Sequence, residues 1–511
     1  MPASTYERTT SPVSAARLFS DDQLEQFATP LSIHLERAAN NQDPSAIDWI
    51  ADQMDMECLA IYDSYLQWVA VLQTFIVENS GEDCHDQALR QMGEHAFRDF
   101  VMAYKGMDCR QHVDALARRL RSAGSTFKVE ELSDRYRFRL DPWGGVVRQW
   151  RSPTQWQSSS PRNREGNRYV YPNYGGYSPP TNFSVLTAPR ALTRSKPNLP
   201  CFFAAEIYFL EILPIELLGY PIAVITLPES ADSEAFLDVF KNLEDIPEEV
   251  FHDVGLAKPR RGYPEWPAGA QPSPDEIDSY GIPLSIQVRN AAKSENWSRM
   301  LQISRFMDDE LVRAKDSLGI LIAGFLTWIA RHLGEDAAEK ALARTAEIVM
   351  APYVDAVRGL EIKDAIPLWA MVWRSHGSTF DIEEDDLTIK FRGRPLGACG
   401  RMWASRYQQT VGRLSDSRVR YPTFGCYDWP MYFHLMREPR GITYFKTDYP
   451  IYSAHSHMLH EIYAIQQVGH PLWSEHNPLH DRDAEIVHVH YKDPANWPDE
   501  AYERLGKKRP S

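Results

Sequence analysis

The chain has little cysteine, no long basic run and no apolar run long enough to cross a membrane. Its six cysteines among 511 residues form no Cys-x-x-Cys pair, which is typical of reduced cytosolic thiols. The net charge of −15 disfavours nucleic acid and anionic membranes as partners. The most apolar window, residues 318–330, is too short for a bilayer and predicts a core helix. We therefore expect a cytoplasmic protein with no nucleic-acid or membrane partner.

Several well-known motifs are missing from the sequence as well. It contains no Gly-x-Gly-x-x-Gly, no P-loop and no Gly-x-Ser-x-Gly. These absences disfavour nucleotide cofactors and serine hydrolysis. The first residues lack the basic start and apolar run of a signal peptide, which agrees with a cytoplasmic location.

The sequence contains an internal repeat of one long unit. The tetrapeptide Pro-Leu-Ser-Ile at 30–33 returns at 283–286, a shift of 253 positions. After a three-residue deletion the shift becomes 250, as in the Gly-x-Pro at 219–221 and 469–471. Similar matches continue over long stretches without gaps. We interpret the chain as two copies of one fold.

The repeat divides the chain into parts that we predict as a flexible N-terminus (1–21), a first repeat (22–256), a proline-rich linker (257–274) and a second repeat (275–511). Two long copies do not fit a solenoid, so we predict an intramolecular pseudo-dimer. Each copy begins with helical spacing and changes later to alternation. The predicted fold class is α+β, with two homologous helix-rich domains that each carry a small antiparallel sheet.

Histidines gather near the end of the second copy. Nine of the sixteen lie between residues 434 and 490. The densest group spans seven residues: His455, His457, His460 and Glu461. We predict an α-helix here, with Ser453 as its N-cap. On an α-helix His457, His460 and Glu461 share one face, which is the ligand geometry of many metal sites.

A strand follows this helix. Residues 484–491 alternate, which places His488 and His490 on one face. Only some twenty residues separate strand and helix, so we expect these two imidazoles to complete the ligand shell. Arg440 and Lys446 precede the helix and are candidates for holding a substrate carboxylate. The long loops at 152–200 and 405–450 are candidate walls of a site.

The first copy serves as an internal control for the histidines. At the shift of 250, the counterparts of His455, His457, His460, His488 and His490 are Ala205, Ile207, Leu210, Asp238 and Phe240. The fold therefore does not need histidine at these positions, which favours a functional role. Glu211 matches Glu461, which indicates a structural role for a glutamate present in both copies.

These observations predict a metal-dependent hydrolase or lyase that acts on a small anionic or aromatic molecule. The predicted catalytic residues are Glu461, His455, Arg440 and Lys446, and the predicted metal ligands are His457, His460, Glu461, His488 and His490. Zinc is favoured over iron or copper as the divalent metal. The alternatives are a non-heme iron or copper oxidoreductase on the same ligands, a metal-free acid–base site, and a non-catalytic ligand-binding or sensory module. An oligomer is compatible with all of them.

Overall fold

The described residues of the computed structural model are 17–93, 97–125, 127–140, 185–186, 199–226, 234–252, 255, 257–258, 271–377, 380–393, 435–436, 449–450, 454–476, 486–503 and 506–509. Within these ranges the protein is rich in helix and has two small four-stranded antiparallel sheets. The predicted α+β class is confirmed. None of the helices in these ranges has the length and apolar character needed to span a membrane.

In the first half of the chain, up to residue 256, most helices precede the strands. The helices are α1 (Asp21–Ala28), α2 (Leu31–Asn41), α3 (Ile47–Ser80), α4 (Glu82–Met92), α5 (Arg98–Met102), α6 (Cys109–Ser122), α7 (Cys201–Ile207), the π-helix π1 (Tyr208–Ile212), α8 (Leu213–Leu218) and α9 (Glu248–His252), with a 3₁₀ turn at Leu243–Asp245. The strands are β1 (Phe127–Glu131), β2 (Arg135–Leu140), β3 (Val185–Leu186), β4 (Leu199–Pro200), β5 (Val224–Thr226) and β6 (Ala235–Phe240).

The second half follows the same order. Its helices are α10 (Pro274–Tyr280), α11 (Leu284–Lys293), α12 (Trp297–Leu333), α13 (Glu335–Thr345), π2 (Ala346–Met350), α14 (Ala351–Val357), α15 (Ile362–Ser375), π3 (Ser456–Ile462), α16 (Tyr463–Val468) and α17 (Glu500–Glu503), with a 3₁₀ turn at Pro494–Asn496. Its strands are β7 (Phe380–Glu384), β8 (Thr388–Gly393), β9 (Leu435–Met436), β10 (Tyr449–Pro450), β11 (Ser474–His476) and β12 (Ile486–Tyr491).

The two four-stranded sheets have equivalent strand orders, β1-β2-β6-β5 and β7-β8-β12-β11, and all neighbours in them are antiparallel. In β1, buried Phe127 and Val129 alternate with exposed Lys128. In β7, Phe380 and Ile382 are buried in the same way. The period of two directs one face of each sheet toward the helices and the main core.

The long helices α3 and α12 pack against each other. The core helix predicted at 318–330 lies within α12, which extends further toward its N-terminus. A separate small core joins α2 and the start of α3 to α11 and the start of α12. It includes Leu35, Ile50, Val288, Met300 and Ile303.

Each half covers the sheet of the other half with its first helix. α1 packs against β7 and α15, and α10 packs against β1 and α6. Beside α1, the backbone N–H groups of Leu18 and Phe19 donate to the Glu384 carboxylate. After α10, Gly281 approaches the Phe127 carbonyl oxygen so closely that a Cβ would collide with it. Residues 17–20, predicted as part of a flexible N-terminus, are thus attached to the second sheet.

Two buried ion pairs join the halves. Arg374 Nε on α15 lies 2.7 Å from Glu57 Oε1 on α3. Arg121 Nη2 on α6 lies 2.6 Å from Glu310 Oε1 on α12. The two arginines are 253 positions apart, as are the two glutamates. The contacts of the two halves are therefore reciprocal.

Candidate functional site

The predicted histidine helix is present, but its central part is a π-helix. Residues 454–455 are α-helical, π3 follows, and α16 ends at Gly469 with a left-handed φ of 84°. Ser453, the predicted N-cap, lies outside the described residues. The first half has the same construction in π1 and α8, which end at Gly219. The π-helix is therefore a property of the fold and does not depend on the histidines.

The π-helix rearranges the predicted ligand face. Its i→i+5 hydrogen bonds put more residues into each turn, so residues three apart diverge while residues five apart come together. His455 and His460, five apart, have ring centroids 5.7 Å from each other. His457 instead contacts Glu461, with Nδ1 3.4 Å from Oε2. The predicted triplet of His457, His460 and Glu461 is thus split between two pairs.

The His457–Glu461 pair is buried, with side chains 3% and 0% exposed. Glu211, the counterpart of Glu461 in the first half, is equally buried. Its Oε1 accepts a hydrogen bond from the backbone N–H of Ile225 on β5 at 2.5 Å. This contact ties the π-helix to the sheet and agrees with the structural role predicted for the shared glutamate. The counterpart of His457 is Ile207, so only the second half adds an imidazole.

Trp473, which was not among the predicted site residues, borders three of the histidines. The centroid of its indole lies 4.1 Å from His460, 4.9 Å from His488 and 5.7 Å from His490. Its indole N–H has no hydrogen-bond partner among the described residues. The counterpart 250 positions earlier is Ala223. That difference in side-chain size was the signal that could have identified Trp473.

Strand pairing establishes which first-half residues correspond to the strand histidines. In the second sheet, His488 on β12 lies opposite Phe391 on β8. In the first sheet, Leu237 on β6 lies opposite Phe138 on β2. Phe138 and Phe391 are 253 positions apart, so His488 corresponds to Leu237. The second half therefore has one extra residue before β12.

By the same register, His490 corresponds to Val239. The constant shift predicts Asp238 and Phe240 as counterparts, and both predictions are wrong by one position. The reason is the single inserted residue, which sequence identity in this short segment does not reveal. Leu237 and Val239 are buried, so both histidines take inward-facing positions that are apolar in the first half.

Trp373 on α15 fixes the tautomer of His488. Its indole N–H donates to His488 Nδ1 at 3.0 Å, so neutral His488 carries its proton on Nε2. Histidines that bind a metal through one ring nitrogen usually donate a hydrogen bond from the other. His488 accepts one instead, which disfavours its predicted role as a metal ligand.

His490 is a buried imidazole surrounded by aromatic rings. It is 1% exposed, and its ring centroid lies 5.0 Å from that of Phe391. Burial, with a smaller effect of neighbouring His488, holds the pKa of His490 well below its usual value. The ring is therefore neutral at physiological pH.

The structure does not gather the predicted metal ligands around one point. Among the described residues, no three His, Cys, Asp or Glu side chains are arranged to hold a metal ion. Arg440 and Lys446, the other catalytic candidates, lie outside the described residues, as does most of the two long loops. The described part of the site therefore consists of the His457–Glu461 pair and a group of rings around Trp473.

Trp68 of the first half also reaches this group, and Tyr65 packs beside Trp68. The ring centroid of Trp68 on α3 lies 4.9 Å from that of His455. Tyr65, about one turn earlier, has its hydroxyl 3.4 Å from His376 Nε2. Neither residue was predictable as part of the site, because their partners lie in the other half of the chain.

No protein-family model matches this chain, and neither curated proteins nor solved structures give a significant match.

Proposed function

We propose that this chain is an enzyme in which His457 is a general base acting on a small molecule and Glu461 orients it. The observation that supports the proposal is the contact of 3.4 Å between His457 Nδ1 and Glu461 Oε2. A carboxylate that accepts from Nδ1–H places the lone pair of the neutral imidazole on Nε2, the nitrogen that takes a proton from water or substrate in general base catalysis. Hydrolysis and elimination both need such a base, so a hydrolase or lyase is the proposed class.

Burial of the pair supports a functional role. Removing an imidazole and a carboxylate from water costs several kcal/mol when they are ionised. The first half keeps the glutamate but has Ile207 in place of His457, so the fold forms without the imidazole. A buried ionisable pair that the fold does not require is typical of functional sites.

The surrounding rings support a small aromatic or anionic substrate. His460 and His488 are partly exposed, and both contact the buried Trp473. A planar substrate can stack on such rings. Arg440 and Lys446 remain candidates for an anionic group, since arginine and lysine bind carboxylates well.

A divalent metal, with zinc favoured, is the second candidate. His457 and Glu461 offer an imidazole and a carboxylate side by side, two of the ligand types that zinc takes. The described residues do not complete such a site, because no third ligand joins them. We therefore assign no step of the reaction to a metal.

We also propose that the chain is an internal duplication folded as a pseudo-dimer. Three observations support this arrangement. The two sheets have equivalent strand orders, and α1 and α10 each pack against the sheet of the other half. The ion pairs Arg374–Glu57 and Arg121–Glu310 are reciprocal. In this arrangement the first half lacks the His457–Glu461 pair, which we call the dyad.

Metabolite profiling tests the proposed activity. The purified chain is incubated with the small-molecule fraction of a cell extract, and mass spectrometry follows substrate loss and product gain. The comparison is His457→Ile, which introduces the first-half residue, with His332→Asn at an exposed histidine as control. We expect a conversion by wild type and control that His457→Ile loses.

Other results would overturn the proposal. No conversion by the wild type would contradict an enzyme, and depletion of a compound without product would indicate a binding module. Equal conversion by His457→Ile would contradict the dyad. Loss of conversion with a chelator, together with one metal ion per chain, would replace the metal-free mechanism by the metal-dependent candidate.

A further inference from the structure

Four rings form a row that leads from the first half into the proposed site. The centroid distances are 4.9 Å from Trp68 to His455, 5.7 Å from His455 to His460 and 4.1 Å from His460 to Trp473. Trp68 and Trp473 are 2% and 4% exposed. Two neighbouring imidazoles are thus enclosed between two buried indoles, one from each half.

The other half has no such row at the equivalent positions. The counterpart of Trp68, 253 positions later, is Leu321, and the counterpart of His455, 250 positions earlier, is Ala205. Both are buried aliphatic residues. The fold is therefore compatible with aliphatic side chains at these places, and packing alone does not account for the aromatic ones.

Trp68 is itself held in place. Tyr65 packs against it with a centroid distance of 5.7 Å and an interplanar angle of 68°. The Tyr65 hydroxyl contacts His376 Nε2, and His376 Nδ1 lies 2.5 Å from the Val372 carbonyl oxygen on α15. These contacts attach this turn of α3 to the second half, so the indole is held in place beside His455.

We infer that Trp68 is a positioning residue for His455 and His460, so that the proposed site is shared by both halves. The inference rests on the proposed function. The indole lies against His455 with an interplanar angle of 55°, and this contact limits the rotation of the imidazole ring. His455 borders His460, and His460 borders Trp473, so the orientation set by Trp68 is passed along the row. The first half then contributes to the geometry of the site as well as to stability.

NMR on the full chain tests this inference without a substrate. Histidine side chains are labelled with ¹³C and ¹⁵N, and the His455 signals are identified by their loss in His455→Gln. In wild type, the ring current of Trp68 displaces the His455 ring protons. We expect Trp68→Leu, which introduces the residue present at position 321, to remove that displacement and to move the His460 signals.

Two further variants control for folding. Trp328→Phe changes another buried indole, 1% exposed, to the residue present at its counterpart Phe75 and is expected to leave His455 unchanged. Trp68→Phe keeps an aromatic face and is expected to retain part of the displacement. An unchanged His455 spectrum in folded Trp68→Leu overturns the inference. If the leucine variant does not fold, an unchanged spectrum in Trp68→Phe overturns it.

Kinetics separates this inference from the proposed function. Once a conversion is identified, Trp68→Leu is expected to lower kcat by roughly tenfold to a hundredfold with a smaller change in KM, because a substrate stacked on His460 and Trp473 is then misaligned with His457. A loss confined to KM overturns positioning. Absence of any conversion overturns the proposed function alone, since the NMR comparison still reports whether Trp68 orients His455.

Discussion

Arg374 and Glu57 lie 317 positions apart in the chain and form a buried ion pair of 2.7 Å, with side chains 5% and 4% exposed. Arg374→Ala leaves the Glu57 carboxylate buried without its cation. We expect a loss of about 3–5 kcal/mol in the free energy of unfolding, measured by urea denaturation. The same loss is expected for Arg121→Ala, because Glu310 is left in the same way.

A double variant and a surface pair serve as controls. Replacing both members by apolar residues, Arg374→Met with Glu57→Leu, is expected to cost less than Arg374→Ala alone, since no buried charge remains. Lys390→Ala, at an exposed pair with Asp385, is expected to cost less than about 1 kcal/mol. Equal small losses for Arg374→Ala and Lys390→Ala would contradict the reciprocal interface.

Ionisation of Asp55 on α3 is expected to lower the free energy of unfolding as pH rises. Burial raises the pKa of Asp55 to about 6, against the opposing effects of Ser285 and Arg289. The folded pKa lies above the unfolded value of about 3.9, so this stabilisation is present below about pH 4 and is lost as pH rises through about 6. Asp55→Asn is expected to stabilise the chain by roughly 1–2 kcal/mol at pH 8 and hardly at pH 4. An equal change at both pH values, by chemical denaturation, would contradict this.

His112 on α6 is expected to lower the free energy of unfolding as pH falls. Burial lowers its pKa to about 4, although Nε2–H donates to the Ile222 carbonyl oxygen at 2.6 Å. Its unfolded pKa is about 6.5, so its contribution is present above that pH and is lost as pH falls toward about 4. His112→Gln is expected to be less stable at pH 7 but to lose stability less steeply on acidification. The same slope in both proteins would refute the prediction.

Replacing His488 and His490 by their first-half counterparts is expected to change the stability of the chain in different ways. His490→Val exchanges a buried imidazole for an apolar side chain of similar volume, so stability is expected to stay the same or rise by up to about 1 kcal/mol. His488→Leu is expected to cost about 1–3 kcal/mol, because the indole N–H of Trp373 loses its acceptor. Adding Trp373→Leu, which introduces the residue at position 120, is expected to recover part of that loss. Similar thermal shifts for both single variants would contradict the tautomer assigned to His488.

The periodicity of the sequence was sufficient to predict the α+β class and several of the helices and strands, because local patterns determine them. For example, the alternation at residues 484–491 predicted the strand β12, which spans Ile486–Tyr491. The π-helix was not predictable, because apolar and histidine spacing does not distinguish five residues from four per hydrogen-bonded turn. As a result, the predicted pairing of His457 with His460 became a pairing of His455 with His460.

Contacts between segments that are distant along the chain could not be predicted from the sequence. Trp68 meets His455 only because α3 packs across to the second half, and Trp473 reaches the histidines only through sheet packing. The one-residue insertion before β12 was hidden for a related reason, since register is fixed by pairing with β8. The residues that could form a site were therefore predictable, whereas their arrangement in space was not.

The position of the His457 proton tests the central claim most directly. In ¹⁵N-histidine-labelled protein at neutral pH, two-bond couplings distinguish Nδ1–H from Nε2–H. If Glu461 orients His457 as a base, the proton lies on Nδ1, and Glu461→Gln weakens that preference while the protein remains folded. A His457 ring that carries its only proton on Nε2, unaffected by Glu461→Gln, would contradict the proposed dyad.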